Sequence, residues 1–207
     1  MAEKNRPRMP AAQRRELLMD AAQHIMKESG IAAATTRAIT AQAGMPHGAF
    51  HYCFSSKEEL FSALLHRELD ASLKEAWDAV SGQPTSFFDA LLAALLAYLD
   101  RVQQDPEHHI LITELTATAS RTPELAELPA WEHEQYVNHV TEVLKSWRAH
   151  TGNTLVMPLR SLAEVLTTCA SGLGATWLAT RDTEKSRASA RLLASALAQA
   201  ATGTARM

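Results

Sequence analysis

The sequence predicts an all-α protein. Three observations carry that expectation. Apolar residues recur every three or four positions over long windows, the period of a helix that buries one face. Glycine and proline are sparse, eight of each in 207 residues, and most fall between those windows. No convincing two-residue alternation of a half-buried strand interrupts the pattern. With 46% hydrophobic and 21% charged residues, the composition is that of a globular chain able to bury a sizeable core.

The formal charge of -3 is unevenly distributed. Residues 1–54 hold seven Lys/Arg against four Asp/Glu, whereas residues 55–207 hold thirteen against nineteen. A basic amino end on an acidic body suits a head that meets a polyanion, although a solvated basic tail would give the same balance. Two cysteines, Cys53 and Cys169, do not make a disulfide framework. The opening MAEKNRPRMP lacks the apolar core of a signal peptide. No apolar run reaches the roughly 18–20 residues that span a bilayer. A cytoplasmic chain with no membrane partner is expected.

Residues 1–11 read as a flexible basic arm. Arg6 and Arg8, with Arg14 and Arg15 just beyond, have the charge to reach phosphates. A first helix is predicted from Ala11 to Ser29, with Leu17, Leu18, Ala21, Ala22, Ile25 and Met26 inward and Gly30 ending it. A second begins at Thr35 or Thr36, either a good cap, and closes at Gly44. Met45-Pro46 makes a turn, and a short third helix follows over about His47–Cys53. At about 100° per residue, Phe50 and Phe54 share one face, while Gly48, Ala49 and Tyr52 lie opposite with His47 and His51 on the flank. Two Phe inward and small or hydrogen-bonding groups outward suit the recognition position of a helix-turn-helix, here residues 35–54.

Ser56-Lys57-Glu58-Glu59 reads as a capping box, with Ser56 capping and Glu59 reaching back. It opens a long fourth helix to about Ser81, with Phe61, Leu65, Leu69, Leu73, Trp77 and Val80 on one stripe. A fifth helix, to about Gln104, is apolar over more than one face and is expected to be central. Asp105-Pro106 opens a sixth, to about Ser120. Thr122-Pro123 starts a seventh that Pro129 kinks or restarts before it runs to about His150. The eighth, Pro158 to Thr180, and the ninth, Thr183 to Ala201, are rich in small residues that permit close helix packing.

These residues carry a resemblance. The first-helix pattern ending at Gly30, Thr35–Gly44 (TTRAIT…AG), Gly44–Phe54 (GMPHGAFHYCF) and Ser55–Leu60 (SSKEEL) together resemble the DNA-binding domain of the tetracycline-repressor-type transcriptional regulators. The resemblance spans residues 12–72. Residues 73–207 match that family only in the number and length of their helices. It implies a three-helix helix-turn-helix domain joined through a long fourth helix to a ligand-binding and dimerisation domain, about nine helices in all. It implies operator DNA as partner, a homodimer through the eighth and ninth helices, and a small-molecule effector that releases the DNA. No enzyme activity and no cofactor are expected. Carried over residue by residue, Thr36 and Arg37 contact DNA from the second helix. His47, Gly48, Ala49, His51 and Tyr52 hold the recognition positions, and Lys57 meets a phosphate at the start of the fourth helix. The chain departs from the family at Pro46, Ala49, His51 and Cys53, where a serine-like cap, a threonine, a tyrosine and a histidine are usual.

Histidines elsewhere invite a metal site, but His133-Glu134-Gln135-Tyr136-Val137 lacks the second histidine of the zinc motif, and His133 and His139 do not share a helix face. No metal is expected. Trp77, Leu95, Tyr98, Leu115, Trp131, Tyr136, His139 and Trp177 are candidates to line an apolar effector pocket with a few polar groups. The competing function is a helical enzyme or binding protein that uses the His/Glu-containing carboxyl-terminal bundle. It needs convergent catalytic groups, and the sequence shows no triad, phosphate loop or paired metal motif.

Overall fold

The computed structural model describes residues 9–81, 86–151 and 154–203, and the side chains of residues 70–81 lie outside that description. Among the described residues there are nine α-helices, two short 3-10 turns and no strand. They are α1 (Ala11–Ser29), α2 (Thr36–Gln42), α3 (Ala49–Cys53), α4 (Lys57–Ser81), α5 (Phe87–Gln104), α6 (Pro106–Ala119), α7 (Leu128–Thr151), α8 (Leu159–Thr180) and α9 (Thr183–Thr202). No helix among the described residues is long and apolar enough to cross a membrane. The chain forms two compact units. One joins Met1–Arg67 with Leu111–Leu128, and the other joins Glu68–Ile110 with Pro129–Met207.

The first unit closes over α1. Leu18, Met19, Ala21, Ala22 and Met26 are its buried residues. Leu17, expected inward, is 36% exposed, and Met19 takes its place, so the buried stripe is turned slightly on the helix. Ile39 from α2, Phe50 and Phe54 at α3, and Leu60, Leu64 and Leu65 from α4 complete the centre. Each fully buried residue of this size contributes about 1.5–3 kcal/mol by leaving water. Leu111, Leu115, Ala119 and Leu125 pack in the same core. Nothing in their spacing separated them from the rest of the body. Leu115, a candidate for the pocket, is 1% exposed in this core.

Local chemistry fixes the helix ends. Gly30 follows α1 at φ 80° and Gly44 follows α2 at φ 65°, backbone angles that cost a side chain dearly. The Thr35 hydroxyl accepts the Ala38 N–H at 3.2 Å and so caps α2. Ser56 caps α4 by accepting the Glu59 N–H at 3.2 Å. The reciprocal arm of that box reaches one residue further than expected. The Glu59 carboxylate takes the N–H and hydroxyl of Ser55, each at 2.8 Å, rather than the N–H of Ser56.

The second unit is built on α5, whose Phe87, Leu91 and Leu95 meet α7, α8 and α9. Val137, Leu144 and Trp147 from α7, Leu162, Leu166 and Leu173 from α8, and Ala190, Ala194 and Leu197 from α9 fill this core. The Phe87 and Trp147 rings lie 4.7 Å apart. Small residues set the spacing, as their sequence suggested: a Cβ on Gly174 would stand 3.0 Å from the Tyr98 ring. Pro129 restarts the chain as the second residue of α7, where its missing N–H costs nothing, and Thr122-Pro123 yields only the 3-10 turn Pro123–Leu125.

Candidate nucleic-acid interface

α2 and α3 meet through a tight turn. The Met45 N–H bonds the Thr40 carbonyl at 2.8 Å, and the Ala49 N–H bonds that of Pro46 at 2.8 Å. The second bond spans only three residues, so regular helix begins at Ala49, two residues later than the sequence suggested. His47 and Gly48 therefore sit on the turn rather than inside a helix. Pro46 favours such a turn and Gly48 does little to extend it. Thr40, buried at 1%, is satisfied by the carbonyls of Thr36 and Arg37 at 3.0 and 3.1 Å and anchors α2 from within.

The two faces of α3 separate as its spacing demands. Phe50 and Phe54 are buried with ring centroids 5.6 Å apart, and Cys53 is buried beside them. Tyr52 is 83% exposed. His47, Gly48 and His51 are exposed and Ala49 is half-buried. The His47 and His51 rings stand edge to face, 6.5 Å between centroids. On α2, Arg37 is exposed and Thr36 half-buried. Of the expected residues of the turn and α3, four are thus exposed and Ala49 half-buried, above the buried Phe50, Cys53 and Phe54.

Two cations of this unit are engaged within the fold. The Lys57 ammonium donates to the Ile31 carbonyl at 3.3 Å and lies 5.2 Å from the centre of the Phe61 ring. Arg15, proposed from its charge to reach phosphate, turns inward. It donates to the Cys53 carbonyl and to Glu59 Oε1, the latter at 2.9 Å, and stacks 4.1 Å over the Phe54 ring. Hydrogen bonds from the Ser55 N–H, Arg15 and the Ser55 hydroxyl hold the Glu59 carboxyl down to about 2. Sequence spacing gave no sign of this pair, because its members lie 44 residues apart. Arg67 makes a further surface tie within this unit, to Asp20 at 2.7 Å, Glu16 at 3.2 Å and Gln23 at 2.7 Å.

In the second unit, the pocket candidates divide. Leu95 is buried in the main core. Tyr98 and Trp177 meet in a smaller cluster with Leu99 and Val102. The Trp177 indole donates to the Thr183 hydroxyl at 3.0 Å, under the guanidinium of Arg181. Trp131, Tyr136 and His139 are half-buried along α7. Trp77 lies outside the described side chains. A polar cluster stands close to Tyr98. Glu68, 7% exposed, pairs with Arg101 and His108, and the His109 ring lies 6.0 Å from that of Tyr98. Burial first, and Arg101 second, push the His109 imidazole down to about 4, and burial pushes the Tyr98 phenol up. Among the described residues, no group of three or more His, Cys, Asp or Glu side chains is placed to hold a metal ion.

Residues 18–64 match the family model described as bacterial regulatory proteins, tetR family. A comparison of the sequence with curated proteins gave no match. Solved structures share the fold along nearly the whole chain. A TetR transcription regulator from Haloarcula marismortui aligns with a TM-score of 0.73 and 22% identity, covering 92% of this chain and 98% of the other. The regulator FadR from Bacillus subtilis, solved with stearoyl-CoA, aligns at 0.69 and 15% identity, covering 89% and 98%. The multidrug binding protein EbrR, solved with imidazole, aligns at 0.70 and 21% identity, covering 96% and 97%.

Proposed function

We infer that this chain, whose residues 18–64 carry the amino-terminal domain of the tetR family of bacterial regulatory proteins, is a transcriptional regulator that binds operator DNA as a homodimer and leaves it when a small molecule binds. One observation carries the reading: Tyr52 is 83% exposed on a five-residue helix whose opposite face, Phe50 and Phe54, is fully buried. A rigidly supported helix that offers a large hydrogen-bonding aromatic to solvent has the form of a groove reader. His47, Gly48, Ala49 and His51 border it, and Thr36 and Arg37 join it from α2. Gly48 gives backbone close approach, and the Ala49 methyl suits contact with a thymine methyl. Lys57 reaches phosphate by exchanging the Ile31 carbonyl for it, a trade that favours the charged acceptor.

The second unit supplies dimerisation and effector binding. The outward faces of α8 and α9 carry Val165 at 38% and Leu192 at 72% exposure among small residues such as Ser161, Ser171, Gly172, Ala175, Ala188 and Ala196. Such a surface suits close packing against a second copy. Leu95, Tyr98, Trp131, Tyr136, His139 and Trp177 surround the effector in this reading. FadR and EbrR, which share the fold, were solved with small molecules. The effector acts by binding two conformers of the dimer unequally, without which it shifts nothing. The regulator acts as a repressor in the cytoplasm.

Gel shift of the DNA upstream of the chain's own reading frame, with scrambled duplex as competitor, tests this. A shift that scrambled DNA fails to compete, and that Tyr52→Ala abolishes without lowering thermal stability, is the expected result. Equal competition at every salt concentration rejects it.

A further inference from the structure

The segment between α3 and α4 is only three residues long, Phe54 to Ser56, yet it sets the angle at which α3 stands on the rest of its unit. One ion pair holds three successive residues there, Cys53, Phe54 and Ser55. The Arg15 guanidinium donates to the carbonyl of Cys53, the last residue of α3, and lies flat over the Phe54 ring at 4.1 Å. Its partner Glu59 accepts from Arg15 through Oε1 at 2.9 Å and from the Ser55 N–H and hydroxyl through Oε2 at 2.8 Å each. The Glu59 N–H then bonds Ser56 at 3.2 Å. Carbonyl, ring, amide and hydroxyl of three successive residues, Cys53 to Ser55, are thus tied to two side chains, one from α1 and one from α4.

We propose that Arg15 and Glu59 are positioning residues for DNA recognition, fixing the pitch of α3 so that Tyr52 meets base edges, and that Arg15 does not contact phosphate. This rests on the DNA-binding reading above. A cation at the carboxyl end of a helix also complements the helix dipole, which adds to the hold on the Cys53 carbonyl. The geometry separates this role from the usual one of an arginine near DNA. A phosphate-binding arginine keeps its charge free, and each one removed lowers the salt dependence of binding by about one unit of slope. Arg15 is neutralised by Glu59, so the pair releases no counterions. It contributes to specific binding through the placement of its neighbours, because misplaced base contacts are lost while phosphate attraction persists.

The test uses the full chain and two duplexes, a site selected from random sequence by the wild-type protein and a scrambled version. Dissociation constants are measured from about 50 to 200 mM salt. Enrichment of a site by the wild type establishes the underlying DNA-binding reading before any variant is compared. Arg15→Met keeps an apolar stem over Phe54 and drops the guanidinium, while Glu59→Gln keeps an acceptor for Ser55 and drops the charge. The expected result for both is a loss of about tenfold or more in the ratio of specific to scrambled affinity, the scale of one mismatched base pair. Scrambled affinity and salt slope stay at their wild-type values. Four results overturn the proposal. Arg15→Met lowering the slope by about one, with both duplexes weakened alike, makes Arg15 a phosphate ligand. Tighter specific binding by Glu59→Gln makes Glu59 a mere repulsive charge. An unchanged specificity ratio in both variants makes the pair irrelevant to recognition. Loss of all binding by both makes it a folding element only.

Discussion

Arg67 and Glu68 are consecutive on α4 and belong to different compact units. Arg67 pairs with Asp20 at 2.7 Å in the first unit, and Glu68 pairs with Arg101 and His108 in the second. Their surroundings differ as much as their partners. The Asp20 and Glu16 side chains are 63% and 58% exposed, whereas those of Glu68 and Arg101 are 8% and 16% exposed.

The difference in burial predicts a difference in stability. Arg67→Ala removes ion pairs that water already screens and is expected to cost no more than about 1 kcal/mol. Glu68→Ala removes a nearly buried carboxylate that pairs with both Arg101 and His108 and is expected to cost about 3–5 kcal/mol. Urea unfolding of the two variants checks this, provided slopes match the wild type. Similar losses from both would mean that the Glu68 cluster is better hydrated than its burial implies.

His109 makes part of the stability depend on pH. Its imidazole is held down to about 4 from an ordinary 6.5, mainly by burial and then by Arg101, with His108 acting in the same sense and Glu68 and Asp105 opposing. Between those two values the unfolded chain binds a proton that the folded chain refuses. Stability therefore falls as pH drops from 6.5 toward 4. His109→Phe is expected to flatten that decline in thermal-melt series. Glu59 adds an acid-labile contribution lower down. Its folded carboxyl titrates at about 2 against an ordinary 4.5, so its share is complete above 4.5 and lost as pH falls toward 2. A slope between pH 6.5 and 4.5 that His109→Phe leaves unchanged would remove His109 as the cause.

Two glycines on α8 separate fold from assembly. A Cβ on Gly172 meets nothing within 4 Å in the single chain, whereas one on Gly174 meets Tyr98 at 3.0 Å. Gly174→Ala is expected to destabilise the fold by about 1–3 kcal/mol through overpacking. Gly172→Arg adds a good helix former to an open face and leaves the folded chain intact. It is nevertheless expected to convert a dimer into monomers, because α8 and α9 form the proposed interface. Light scattering after size exclusion reads both outcomes. A Gly172→Arg dimer would move the interface elsewhere.

The helices were legible because their signals are local. The stripe on α1, the Thr35 and Ser56 caps, the glycines at 30 and 44, and the split of Phe50 and Phe54 from Tyr52 all arise within a few residues of chain. What sequence reading missed depends on distant partners. The Arg15–Glu59 pair spans 44 residues, and Glu68 reaches Arg101 across 33 and His108 across 40. Charge alone favoured Arg15 as a phosphate ligand, since no pattern reports that an arginine is already engaged. The packing of Leu111, Leu115 and Ala119 in the first unit was equally hidden. An apolar stripe says that a helix face is buried, not in which core. The effector candidates were the least legible of all, because an aromatic that lines a pocket and one that fills a core share the same spacing. Trp177, satisfied by Thr183, shows how far an indole's surroundings can be settled by a neighbour on the next helix.

The most direct test of the central reading is selection by the full-length chain of binding sites from a pool of random duplexes. A two-fold symmetric sequence is predicted, its half-sites about 34–36 Å apart or a multiple of that, as two copies of α3 in successive major grooves require. Tyr52→Ala is predicted to enrich nothing from the same pool. Failure of the wild-type chain to enrich any sequence, at salt low enough for it to hold DNA, would contradict the account.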